Sequence, residues 1–214
     1  MIVIIDYGAG NLHSVQKAVE KCGASVAVTQ APDDLARAEK VIFPGVGAFG
    51  KAAESLQRLG FYSAIRRYVE TGRPFLGICL GMQMLFERSE ESPGAEGLGL
   101  LCGTVRRLPS NVKAPHLGWN SVRQTGASPL WKEVPDGAYF YFAHSFFADP
   151  AEKECVVGVT DYGGEIAVAV RRGNLFGVQF HPEKSQKLGL QVLKNFVALT
   201  ATSADKGAES GILP

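Results

Sequence analysis

Four short apolar runs in the first 80 residues, separated by stretches of helical period, restrict this chain to a narrow set of architectures. Residues 2–6, 25–29, 41–43 and 75–79 each read as a short strand rich in β-branched or aromatic residues. Between the first two, Asn11 is a candidate N-cap, and Leu12, Val15, Val19 and Cys22 recur at helical spacing. Residues 32–38 read as a short helix with acids in its first turn, and 48–70 as a helical stretch broken near Gly60. Short apolar strands alternating with helices imply βαβ units, and hence a parallel sheet covered on both faces. Sites in such sheets lie at the carboxyl ends of the strands. That rule gathers three segments on one rim: D-Y-G-A-G-N after the first strand, P-G-V-G after the third, and C-L-G after the fourth.

The pattern changes beyond a Gly-, Glu- and Pro-rich loop at 89–99. Strand-like runs follow at 104–108, 119–123, 139–147, 155–160, 166–171 and 175–180, with Gly163-Gly164 and Gly173-Asn174 as hairpin turns. A last helix is expected over 186–199, with Ser185 as its N-cap. Residues 201–214 lack any period and read as a flexible tail. The expected fold is therefore α/β: a mostly parallel central sheet flanked by helices, with an added strand-rich part, in one domain over 1–200.

Charge and cysteine content narrow the function. The net charge is +1 and no block of like charges occurs, so no electrostatic footprint for nucleic acid or an anionic membrane is expected. No apolar stretch approaches the roughly 18 residues of a membrane span. The four cysteines lie far apart without a C-x-x-C pair, which argues against a zinc cluster and a disulfide framework. The chain opens directly on a strand-like run without a leader pattern, so a reduced, cytoplasmic protein is expected. Gly8-Ala9-Gly10 suggests a dinucleotide loop, but His13 stands where G-x-G-x-x-G requires its third glycine. Neither a cofactor nor a metal is expected.

The segment P-F-L-G-I-C-L-G-M-Q, residues 74–83, puts Cys79 between two glycines where strand gives way to helix. A buried, merely packed cysteine fits this position; so does a nucleophile on a sharp strand-to-helix elbow, activated by the helix N-terminus. A nucleophile requires a base and the base an orienting partner. His181 and Glu183, in F-H-P-E-K-S, stand two residues apart, on one side of an extended segment that Pro182 favours. Alone, H-P-E fits a surface turn; paired with an elbow cysteine in the same chain, Cys79, His181 and Glu183 read as a Cys-His-Glu triad. Pro44-Gly45-Val46-Gly47 is either an ordinary loop or, with the Leu80 amide, the source of oxyanion donors.

With I-I-D-Y-G-A-G-N-L at the start, P-G-V-G-A-F at 44–49, the cysteine elbow, P-H-L-G-W-N at 115–120, Y-F-A-H-S-F at 141–146 and G-V-Q-F-H-P-E-K-S at 177–185, the chain resembles the class I, triad-type glutamine amidotransferases. The opening, P-H-L-G-W-N and H-P-E-K-S blocks are similar to the branch that serves imidazole glycerol phosphate synthase. The resemblance implies a flavodoxin-like amidotransferase architecture, with Cys79 as nucleophile, His181 as acid–base and Glu183 as its orienter. It implies an oxyanion hole of Val46, Gly47 and Leu80, and a glutamine site of Gln83, His144, Ser145 and Phe146. Relatives often carry tyrosine where this chain has Phe146.

The resemblance further implies a heterodimer with a cyclase subunit, a (β/α)8 barrel. Ammonia released from glutamine would pass to that partner, which forms imidazole glycerol phosphate and aminoimidazole carboxamide ribonucleotide in histidine biosynthesis. Tyr7, Asn11, Trp119, Asn120 and Lys184 are the residues expected at that interface. Rival readings are the same glutaminase serving another synthase, a free-standing cysteine hydrolase, and a non-catalytic subunit on the same fold.

Overall fold

The apolar runs do pair in parallel, and the order of the chain explains why. A computed structural model describes residues 1–201, so nearly all of the tail expected at 201–214 lies outside the described residues. The first part comprises β1 (Ile2–Ile5), α1 (Leu12–Lys21), β2 (Val26–Thr29), β3 (Lys40–Gly45), α2 (Phe49–Arg58), α3 (Phe61–Glu70), β4 (Phe75–Cys79) and the single turn α4 (Leu80–Gln83). The second comprises β5 (Arg88–Ser89), β6 (Gly103–Arg107), β7 (His116–Gln124), β8 (Ala138–His144), β9 (Phe146–Pro150), β10 (Val156–Asp161), β11 (Glu165–Arg172), β12 (Leu175–Val178) and α5 (Gln186–Val197).

The main path through the sheet is β2-β1-β3-β4-β12-β11-β10-β7-β8, with β5, β6 and β9 branching from β11. From β2 to β12 every pair is parallel; from β11 to β8 every pair is antiparallel. In the parallel part, alternate side chains serve opposite faces. Ile2, Ile4, Ile42 and Leu76 pack with Val15 and Val19 of α1 and Val192 and Phe196 of α5. Val3, Ile5, Val41 and Phe43 pack with Leu56 of α2 and Phe61 and Ile65 of α3. Each such side chain, fully buried, contributes about 1.5–3 kcal/mol, so this half of the sheet is fixed on both sides.

The helical stretch at 48–70 is two helices, and Gly60 between them adopts φ +78°, a left-handed conformation open to glycine. Residues 32–37 form a 3-10 turn rather than an α-helix. Three expectations are corrected. P-G-V-G is not all loop: β3 continues through Pro44 and Gly45, which pair with Ile78 and Cys79 of β4. The single strand expected at 139–147 is two, because the chain breaks step at Ser145 as it passes from pairing with β7 to pairing with β6 and β11. Ser185 does not cap α5 with its side chain. Its hydroxyl donates to the His181 carbonyl at 2.7 Å and accepts from the Tyr141 amide at 2.9 Å, tying that segment to β8.

Among the described residues no helix is long and apolar enough to cross a membrane, and no three His, Cys, Asp or Glu side chains group as metal ligands.

Candidate active site

Cys79 ends β4 with φ 55° and ψ −110°, a conformation costly for a non-glycine residue. Two close approaches hold it there. A Cβ on Gly81 would lie 1.8 Å from the Phe43 carbonyl oxygen, and one on Gly77 would lie 2.6 Å from the Gly81 carbonyl oxygen. The backbone after the cysteine can fold back onto the ends of β3 and β4 only because both positions lack a side chain. The helix expected after the elbow is one four-residue turn, so the elbow geometry rather than a long helix dipole defines the position. The thiol is 6% exposed. All four cysteines are free.

His181 lies between the other two triad candidates. Its Nδ1 stands 2.8 Å from Glu183 Oε1, with both side chains almost fully buried. Burial opposes its charge, but hydrogen bonds to Cys79 and Glu183, and the negative charges there, push its pKa up to about 10. This favours the imidazolium beside the sulfur. The carboxylate reaches the ring differently from the expected extended geometry. His181 itself is extended, whereas Pro182–Lys184 is a 3-10 turn, since proline is preorganised for a first helical position, and the turn brings Glu183 back to the ring. Glu183 Oε2 is buried without a hydrogen-bond partner. The His181 amide donates to the Tyr141 carbonyl at 2.9 Å, which joins the base to β8.

A cleft of about 200 Å³ opens at the sulfur, lined by Val46, Gly47, Cys79, Leu80, Gln83 and Glu91 on one side and Pro115, Ala143, His144, Ser145 and Phe146 on the other. The structure thus brings the oxyanion and glutamine-binding candidates together. Gly47 adopts φ +102° with open space around its Cβ position, so its peptide sits at the cleft in an orientation that disfavours a side chain. Gln83 Nε2 donates to the Phe146 carbonyl at 2.7 Å and to Gln179 Oε1 at 3.0 Å, and Gln179 Nε2 donates to the Cys79 sulfur at 3.6 Å. Both nitrogens of the His144 ring are bound within the chain, so this ring supports the wall. The contact at 146 is made by a main-chain carbonyl, independent of the phenol absent from Phe146.

Two polar side chains at the site were not picked out from sequence. Glu91, in the loop read at 89–99, is the only charged side chain lining the cleft among the described residues; its Oε2 accepts from the Phe49 amide at 2.7 Å, at the start of α2. Gln179, fully buried, lies two residues before His181 and points at the nucleophile. Its signal was an amide in an otherwise apolar strand.

The interface candidates separate. Trp119 is 46% exposed and packs edge-on to Tyr141, over which the exposed Lys184 ammonium sits 5.8 Å from the ring centre. Leu117 and Tyr139 lie exposed on the same face of β7 and β8. Asn11 is exposed and caps α1 through its side chain. Asn120 is half-buried and turned inward. Tyr7, expected at the interface, is 2% exposed: the rim position was right, but the phenol packs beneath the elbow against Phe43. Burial first, then the charge of Cys79, raises its pKa; the Val46 amide acts against this without closing a hydrogen bond to the buried hydroxyl.

Residues 3–199 match the family model described as Glutamine amidotransferase class-I. The chain is 53% identical over 206 residues to the imidazole glycerol phosphate synthase subunit HisH of Moorella thermoacetica, covering 96% of this chain and 98% of that one. It is 50% identical over 196 residues to the subunit of the same name from Bacillus cereus, covering 92% and 93%. Among solved structures, PurLQS from Thermotoga maritima superposes with a TM-score of 0.74 at 21% identity, covering 92% of this chain and 96% of that chain, a likeness of fold.

Proposed function

The chain belongs to the class I glutamine amidotransferase family, and from that premise we propose that it is the glutaminase subunit of an imidazole glycerol phosphate synthase. It hydrolyses glutamine to glutamate and ammonia and delivers the ammonia to a cyclase partner. The relatives at about 50% identity over nearly the whole chain support the choice of synthase. The observation that carries the chemistry is the His181 ring held between the Cys79 thiol and the buried Glu183 carboxylate.

In this reading the Cys79 thiolate attacks the side-chain carbonyl carbon of glutamine, and the carbonyl π electrons move to oxygen. Backbone amides around Val46, Gly47 and Leu80 stabilise that oxyanion. The C–N bond then breaks, and the amide nitrogen takes a proton from His181 and leaves as ammonia. Neutral His181 accepts a proton from water as the hydroxyl oxygen adds to the thioester carbon. The C–S bond breaks, glutamate departs, and the thiolate–imidazolium pair returns. Glu183 holds the ring in the tautomer that both steps use. Glu91, alone among the lining residues in its charge, is placed to receive the α-ammonium group of the substrate. No cofactor enters this sequence.

The outward row of Leu117, Trp119, Tyr139 and Tyr141, closed by Lys184, is the face we assign to the cyclase, a (β/α)8 barrel forming a heterodimer with this chain in the cytoplasm. A protected route then carries ammonia from the cleft to the partner. The test is Cys79→Ala in complex with the cyclase. Glutamine-dependent synthesis should fall by about 10⁴-fold or more, while synthesis supplied with free ammonia stays at the wild-type rate. Loss of both would give the cysteine a structural role instead.

A further inference from the structure

A row of hydrogen bonds on the antiparallel side runs from the middle of β7 to the floor of the cleft. His116 and His144 are directly opposed in β7 and β8, and both are buried. His144 Nδ1 lies 2.9 Å from the Phe146 carbonyl oxygen, His116 Nδ1 lies 3.0 Å from His144 Nε2, and Asn120 Nδ2 lies 3.4 Å from His116 Nε2. A carbonyl can only accept, so His144 carries its proton on Nδ1. In the neutral ring Nε2 then accepts, which places the proton of His116 on Nδ1 as well and leaves its Nε2 to accept from the Asn120 amide. The three donations have one consistent direction.

Burial holds both rings neutral, depressing His116 to about 4 and His144 to about 3; for His144 the Phe146 carbonyl opposes this, and His116 and His181 reinforce it. Asn120 is itself anchored: its Nδ2 also donates to the Asp161 carbonyl at 3.0 Å, and its Oδ1 accepts from the Ser121 amide at 2.8 Å. At the far end the same Phe146 carbonyl accepts from Gln83, which leads through Gln179 to the sulfur.

We propose that His116 is a positioning residue for glutamine hydrolysis: by fixing the tautomer of His144 it holds the Phe146 carbonyl, and with it the Gln83 and Gln179 carboxamides, in place around the substrate. This rests on the reading of the cleft as a glutaminase site. His116 does not touch the sulfur and does not itself line the cleft; it reaches the lining only through His144. Its packing alone would not require imidazole, since the ring is stacked on Tyr162 at 3.8 Å and on Phe142 at 4.6 Å, contacts a phenyl ring would also make. The ring nitrogens are the specific part. Without them His144 Nε2 loses its donor, and the Phe146 carbonyl is held from one side only.

The experiment uses the complex with its cyclase at saturating partner. His116→Phe keeps the stack and should raise the glutamine KM about tenfold, the weight of one buried hydrogen bond, with kcat within about twofold. His116→Gln, which again offers a donor and an acceptor, should restore most of the affinity. Asn120→Asp, whose carboxylate cannot donate to His116, should raise the KM in the same direction without disturbing the stack; it decides the matter should the phenylalanine variant fail to fold. Imidazole ¹⁵N spectra of the wild-type chain should show both rings in the Nδ1–H form between pH 5.5 and 8.5. An unchanged KM in a folded His116→Phe or Asn120→Asp complex, or an Nε2–H form of either ring, overturns the proposal. A wild-type complex that releases no glutamate would overturn the glutaminase reading instead, and the tautomers would still decide the direction of the hydrogen bonds.

Discussion

The parallel and antiparallel halves of this sheet contribute to one cleft in different ways. In the parallel half both faces are covered by helices, so the apolar side chains within β1, β3 and β4 are taken up by packing. Such strands can offer chemistry only where they end, and there the chain supplies Cys79, Val46 and Gly47. The antiparallel pair β7–β8 has one covered face and one open face. His116, Phe140, Phe142 and His144 point inward, while Leu117, Trp119, Tyr139 and Tyr141 point outward. A half-covered strand can act along its whole length, supporting the cleft from one face and meeting a partner with the other. In the proposed reading catalysis therefore sits at the rim of one half, and recognition on the face of the other.

The sharpest way to break this division is at the rim. Glu183→Gln keeps the shape of the triad and removes its buried charge, so glutamine hydrolysis should drop by about a thousandfold. Since Glu183 helps to keep His181 protonated up to about pH 10, the alkaline fall of kcat/KM should also move toward neutral pH. A rate within tenfold of wild type would move the chemistry away from this rim. On the open face, Trp119→Ala should weaken cyclase binding roughly thirtyfold, as expected for an interface anchor, with stability unchanged to about 0.5 kcal/mol. Titration calorimetry with the purified cyclase measures the first, urea unfolding the second; wild-type affinity would show that the partner docks elsewhere.

The smallest effect sharpens the comparison from the covered side of β7–β8. Unfolded histidine binds a proton below about pH 6.5, whereas His116 and His144 refuse one until about 4 and 3. Their contribution to stability is thus complete above pH 6.5 and lost as the pH falls, at about 1.4 kcal/mol per pH unit for each proton that only the unfolded chain takes up. His116→Phe should make that acid slope shallower. An identical slope in urea midpoints between pH 4.5 and 7 would mean that the buried pair charges in place.

Legibility in the sequence followed the same division. The elbow could be read because both glycines flank the cysteine in the sequence itself, although only the Gly77 requirement is local, set by Gly81, while that of Gly81 is set by Phe43 on the neighbouring strand. His-Pro-Glu gave the pairing of His181 with Glu183 but not the path between them, since whether proline extends a segment or starts a turn is decided by what it packs on. Tyr7 was misplaced because the end of a strand fixes a residue's position on the rim and not whether its side chain turns inward. The His116–His144 contact spans 28 positions and exists only through the register of β7 with β8, which no local pattern specifies. Glu91 was hidden in a loop for the same reason. The run Y-F-Y-F-A-H did hold an unread signal: an antiparallel strand apolar on both faces has a second surface to cover.

That outward row carries a consequence for the chain before it meets its partner. Trp119, Leu117 and Tyr139 are 46%, 65% and 60% exposed, side by side on two adjacent strands. An apolar strip of this kind attracts any similar surface, other copies of the same chain among them. Expressed alone, the subunit should become sticky as its concentration rises; made together with the cyclase proposed to cover that row, it should stay dispersed.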